Sequence, residues 1–208
     1  MTTMPTGWRQ VPMPTEVKPL PRDPRGYLVG WTTLWESGTR TLRKVAGTGP
    51  TLVCTCVPGR GRPLLGQVCP QRQRACMNER RCQLCGLRIK HRFRAVFVAG
   101  APKGDGPGFV IEPPLHRSCA AYAIQVCPHL ITGHRGGDLH VAEVQEYHLL
   151  EQRVRPQGRD LSAGLLPQVF APGDTDAHAF GALDNLVAAP QGPWTPAADW
   201  LKHTRTTA

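Results

Sequence analysis

Two short words, Cys82-Gln-Leu-Cys85-Gly86 and His116-Arg-Ser-Cys119, bring three thiols and an imidazole at the spacings a structural zinc site uses. A Cys-x-x-Cys turn ending in Gly lets the backbone curl until both sulfurs face one cavity, and Gly86 accepts a positive φ that a side chain would resist. His116 and Cys119 stand three apart where a helix is expected to begin, so both leave one side of its first turn and can close a tetrahedron. Pro113 and Pro114 suit an extended approach to that helix. The four residues predict one zinc ion, set against reduced core cysteines beside a surface histidine. With four protein ligands no position is left for water, so the ion would be structural.

A second cysteine cluster lies upstream. Cys54 and Cys56 alternate on the apolar run Thr51–Val57 and would face one side of a strand. A turn at Pro58-Gly-Arg-Gly-Arg-Pro63 and a return along Leu64–Val68 then lead to Cys69, followed by Pro70 at the first position of a helix. Cys54, Cys56 and Cys69 could bind a second zinc, with Cys76 as the fourth candidate. Cys69 and Cys76 are two helical turns apart, about 10 Å along the axis, which strains a shared metal. Small buried thiols packing a hairpin onto a helix explain the same residues as economically.

These ligands need elements to hold them. Cys119, Tyr122, Ala123, Val126, Cys127 and Leu130 recur at helical steps until Pro128 interrupts. Cys127 falls on the buried stripe but about 12 Å from Cys119, too far to share its metal. Knuckle, hairpin through Arg94–Val110, then helix with the second ligand pair is the order of a treble-clef zinc finger. The expected class is therefore α+β, a small treble-clef-like core with an extended Pro-rich N-terminal segment and an irregular tail. Three regions follow: 1–50, extended and anchored by Trp8, Trp31 and Trp35; 51–135, the Cys-rich basic core; and 136–208, short elements and a partly flexible tail. Gly30–Trp35 reads as a strand. Asp138–Arg155 reads as a helix with a strand as the competitor, and Thr195 is placed to cap a short helix docking through Trp200.

The chain of 208 residues contains 22 Gly and 21 Pro, so turns and extended segments must be plentiful. No stretch is apolar enough to span a bilayer, and Met1–Arg25 lacks the hydrophobic centre of a secretory signal. A cytoplasmic setting is expected, in which these cysteine spacings favour metal over disulfides. The net charge is +10. Arg60, Arg62, Arg72, Arg74, Arg80, Arg81, Arg88, Lys90, Arg92 and Arg94 face one acid, Glu79, so this stretch carries nine of those ten charges. Arginines focused in this way fit a phosphate backbone, and the ten residues are candidates for binding DNA or RNA. Scattered around an expected helix Pro70–Arg81, those on that segment suit backbone contact more than base reading. Phe93 and Phe97, alternating within Phe93–Val98, read as a strand with a core face.

An enzyme is also considered. HNH nucleases build on a similar zinc hairpin, but the Asp-His pair expected at the strand end is replaced by Glu112, and His116 is needed by zinc. His129, His134, His140 and His148 could bind metal if folded together, although exposed loop histidines are the commoner case. Leu20-Pro-Arg-Asp-Pro-Arg-Gly-Tyr27, Arg81–Gly86 and Glu112–Leu130 resemble an uncharacterised family of small CxxC…HxxC proteins from actinobacteria and their phages. The resemblance covers the first two-thirds. It implies the same four ligands and a phage or mobile-element setting, and it brings no activity. The resulting expectation is a non-enzymatic zinc protein with an arginine-rich face for nucleic acid. A divergent HNH-like nuclease and a phage or host protein-interaction module are the alternatives.

Overall fold

The computed structural model describes residues 7–45, 49–100, 110–130, 139–151, 169–170 and 186–205. They form a mixed α and β structure of small antiparallel sheets and three α-helices among the described residues. In chain order these are β1 (Thr33–Trp35), β2 (Arg40–Val45), β3 (Gly49–Cys54), β4 (Pro63–Val68), α1 (Pro70–Glu79), β5 (Ala95–Gly100) and α2 (Arg117–Val126). They are followed by β6 (Leu139–Val144), β7 (Tyr147–Glu151), β8 (Val169–Phe170), β9 (Leu186–Pro190), β10 (Trp194–Pro196) and α3 (Ala197–Arg205).

α1 begins where Pro70, with φ already set and no N–H to lose, follows Cys69 as N-cap. It ends two residues short of Arg81, because Arg80 turns left-handed at φ 53°. α2 starts after His116 as N-cap, and Cys119, Ala120, Tyr122, Ala123, Ile124 and Val126 bury its stripe. Pro128 then forbids continuation. β5 is buried on both faces from Ala95 to Val98. Phe97 is wholly enclosed against Tyr147 at 4.9 Å between ring centroids, while Phe93 precedes the strand and is half exposed.

The hairpin expected between 51–57 and 64–68 is not formed. β3 pairs back with β2, in register from Arg40↔Cys54 to Val45↔Gly49, and β4 pairs with β1. The segment 51–57 therefore does not pair with 64–68, since β3 and β4 each take an earlier strand as partner. β5 takes β6 as its partner, from Ala95↔Val144 to Gly100↔Leu139, while Val110 bridges Ala188. Residues 101–109 of the expected Arg94–Val110 hairpin lie outside the described residues. Of the expected helix Asp138–Arg155, the described residues 139–151 form strands β6 and β7 and not a helix, and the others lie outside the described residues. Leu139, Val141 and Val144 are buried against the core and residues 141–144 sit in a paired ladder, so burial overrides the helical spacing. Thr195 lies in β10, two residues before α3 starts, and does not cap it.

Two apolar cores result among the described residues. The larger joins Val17, Met77, Ile89, β5, the inner face of α2, Val141, Val144, Ala188 and Trp200, with Cys82, Cys85 and Cys119 among them. The smaller joins Val29, Leu34 and Trp35 to Cys54, Cys56 and Cys69. Strand pairing crosses both the 50/51 and 135/136 positions.

Candidate metal centres

The segment Arg80–Ile89 doubles back through an Arg81↔Arg88 bridge, closed by Ile89 N–H donating to Arg80 O at 2.8 Å. Inside it, Cys82 N–H donates to Leu87 O at 2.9 Å and Gly86 N–H to Cys82 O at 2.8 Å. Gly86 sits at φ +78°, and a Cβ there would meet the Trp31 ring at 2.6 Å. The knuckle is fastened on both sides: Trp31 N–H donates to Leu84 O at 2.8 Å, and Gln83 N–H to Pro114 O at 2.9 Å. Leu115 exchanges two backbone hydrogen bonds with Val96, at 2.8 and 3.0 Å, so β5 sets the position of the very next residue, His116.

These ties bring Cys82, Cys85, His116 and Cys119 together with their ligand atoms all within 4.8 Å of one another. A tetrahedral zinc–thiolate cage with 2.3 Å bonds has edges of about 3.8 Å, so the group is of a size to close on an ion. His116 presents Nδ1 to Cys85 Sγ at 3.4 Å and Nε2 to the Arg88 carbonyl at 3.3 Å. Donation from Nε2–H to that carbonyl leaves the Nδ1 lone pair facing the cysteines, the usual way an imidazole ligand is oriented. Burial opposes ionisation of Cys82. Hydrogen bonds from Cys119 and Cys85, then from the Cys85 and His116 amides, overcome it and hold the thiol well below the ordinary cysteine range. The same bond to Cys82 drives Cys119 up, and the bond to Cys85 raises His116. A divalent ion bound here would displace the thiol protons and let all three thiols ionise.

Cys54, Cys56 and Cys69 form a second group, also within 4.8 Å of one another and all buried. The expected fourth member, Cys76, is not part of it. Two turns of α1 carry it away from Cys69, and it is buried near Cys82 and Cys85 instead; burial first, then the Cys82 charge, pushes its thiol up. Cys56 N–H donates to Cys54 Sγ at 3.3 Å, and Arg72 Nη2 donates to Cys56 Sγ at 3.1 Å. The hydrogen bond from Cys54 lowers the Cys56 thiol to about 2 and raises Cys54 in turn. Cys127 caps α2 and belongs to neither group. His129, His140 and His148 are not gathered into a metal group among the described residues, and His134 lies outside them.

The arginines divide by role. Arg72 reaches Thr33 O at 2.6 Å, Arg74 reaches Leu52 O at 2.5 Å, and Arg80 reaches Phe93 O at 3.0 Å while lying over Tyr147. Arg81 pairs with Glu79 at 2.8 Å and donates to Gly86 O at 3.2 Å. These four tie the fold together. Arg60, Arg62, Arg88, Lys90, Arg92 and Arg94 are exposed, Arg62 paired with Glu36 and Arg88 with Glu79. Glu112 lines a cavity of about 400 Å³ with Tyr27, Leu115, Tyr122 and Val126. Sequence reasoning missed the contact of Arg72 with the cysteines, although Cys69-Pro-Gln-Arg72 repeats the spacing of His116-Arg-Ser-Cys119. No described helix is long and apolar enough to cross a membrane. Both groups are compatible with a bound metal ion. Comparison with family models, curated proteins and solved structures finds no match to this chain.

Proposed function

We propose that this chain is a structural-zinc protein whose knuckle and α2 hold the ion in treble-clef order, and that the cationic strip beside the knuckle binds nucleic acid without catalysing a reaction. Three thiolates and an imidazole suit zinc by softness and by tetrahedral preference. The observation carrying the binding role is the segment Arg88–Arg94. It follows the knuckle directly, exposes Arg88, Lys90, Arg92 and Arg94 without an acid between them, and presents Phe93 half exposed with Arg92 stacked 4.9 Å over its ring. Arginines on a metal-braced loop lose less freedom when they grip phosphate oxygens, and an exposed aromatic ring adds a surface on which a base can stack. Arg60 and Arg62, the latter paired with Glu36, are also exposed, at the turn before β4.

Fluorescence anisotropy with duplex and single-stranded DNA and RNA across ionic strength tests the role. Binding should weaken with salt, and R88A/K90A/R92A/R94A should flatten the duplex slope by roughly 0.9 for each phosphate no longer neutralised, with zinc retained. No measurable affinity at low salt for any of these ligands would end the nucleic-acid reading in favour of a protein-interaction module. Divalent-metal-dependent plasmid cleavage abolished by Glu112→Gln would end it in favour of an HNH-like nuclease.

A further inference from the structure

The second cysteine group is laid out like the first, with a cysteine in place of the N-cap histidine and an arginine in place of the helical cysteine. In the first, two cysteines on a turn face the N-cap of α2, His116, and its third helical residue, Cys119. In the second, Cys54 and Cys56 face the N-cap of α1, Cys69, and its third helical residue is Arg72. A side chain at the third position points back over the N-cap, which is why Cys119 reaches the first group and why the Arg72 guanidinium arrives 3.1 Å from Cys56 Sγ.

We propose that Cys54, Cys56 and Cys69 form a second metal site that holds a thiophilic divalent ion, zinc by its ligand chemistry, through three thiolates, with Arg72 standing where a fourth protein ligand would be and the remaining coordination position left to a small exchangeable ligand. The surroundings favour negative sulfur: Cys56 N–H donates to Cys54 Sγ at 3.3 Å, and Arg72 Nη2 donates to Cys56 Sγ at 3.1 Å. Three thiolates and a divalent ion leave one negative charge, and the guanidinium neutralises it inside a buried cluster where a bare charge would be costly. Arg72 is itself held by Thr33 O at 2.6 Å and Cys56 O at 3.4 Å, while its Nε is buried without a hydrogen-bond partner among the described residues. That donor is available to a water or anion carried by the ion. Gly38 leaves the chain room here, since a Cβ on it would collide with the Cys56 backbone.

The site differs from the first in a measurable way, because three protein ligands with an open position exchange metal faster than four. Full-length protein loaded with zinc should contain two ions per chain, and a chromogenic zinc chelator should withdraw one well before the other. Cys69→Ser should contain one ion, the slowly released one, and Cys56→Ser serves equally if that variant does not fold. Arg72→Cys should complete a four-cysteine cage and slow release of the labile ion at least tenfold. A single ion in the parent chain that survives Cys69→Ser would overturn the proposal, as would two ions released together. Unchanged release from Arg72→Cys would overturn the place assigned to Arg72. None of these readings depends on nucleic-acid binding.

Discussion

Gly86 shows how one missing Cβ sets the knuckle. Its φ of +78° is costly for any L side chain, and Trp31 closes over it so tightly that a Cβ would lie 2.6 Å from the indole. Gly26 has a similar φ of +86° but nothing within 4 Å of its Cβ position. Gly26→Ala should therefore cost only the left-handed backbone, about 1 kcal/mol, and Gly86→Ala should cost on the order of 3 kcal/mol. Urea midpoints of the two variants separate the terms. Equal losses would show that Trp31 moves aside and that the ring does not hold the knuckle.

Among the elements, α3 closes the sheet β10-β6-β5 although it is remote in sequence from both metal groups. Trp200 is buried, its Nε1 donates to Glu143 Oε2 at 2.9 Å, and Arg117, the first residue of α2, lies 3.7 Å from the same carboxylate. The helix thus braces β6 and the start of α2, the element that carries Cys119. Trp200→Ala should cost about 3–5 kcal/mol through the missing indole, and Trp200→Phe less, since it keeps most of the apolar area and gives up the hydrogen bond. Denaturant curves give both values. A Trp200→Phe loss as large as that of Trp200→Ala would move the weight from packing to the bond with Glu143.

At the scale of the whole molecule, the described residues form two modest cores, and each has a cysteine group inside it. The first group joins positions 82–85 to 116–119, and the second joins 54–56 to 69, so an ion held at either would close a loop of the chain. A structural zinc contributes on the order of 10 kcal/mol to folding in small metal-held units. Adding zinc to stripped protein should raise the melting temperature with concentration, and a strong chelator should abolish cooperative melting. The same cooperative transition after verified metal loss would show that the cores suffice without it.

Much of the site could be read from the chain before any fold was known, because its geometry is local. A Cys-x-x-Cys-Gly turn and an N-cap three residues before a helical cysteine fix where four side chains point whatever surrounds them. The start of α2, its stop at Pro128 and the docking of Trp200 were legible for the same reason. The partners of the strands were not. Residues 64–68 carry no mark that they pair with 33–35 and not with 51–57, and the helical spacing that begins at 138 gave way over 139–144 to a ladder with β5. Nor could the charge pattern tell Arg72, Arg74, Arg80 and Arg81, turned onto backbone carbonyls and neighbouring side chains, from Arg88, Lys90, Arg92 and Arg94 in solvent. Ligand type and spacing are written residue by residue, whereas strand pairing and the direction of a long side chain depend on which distant surfaces win the competition for burial.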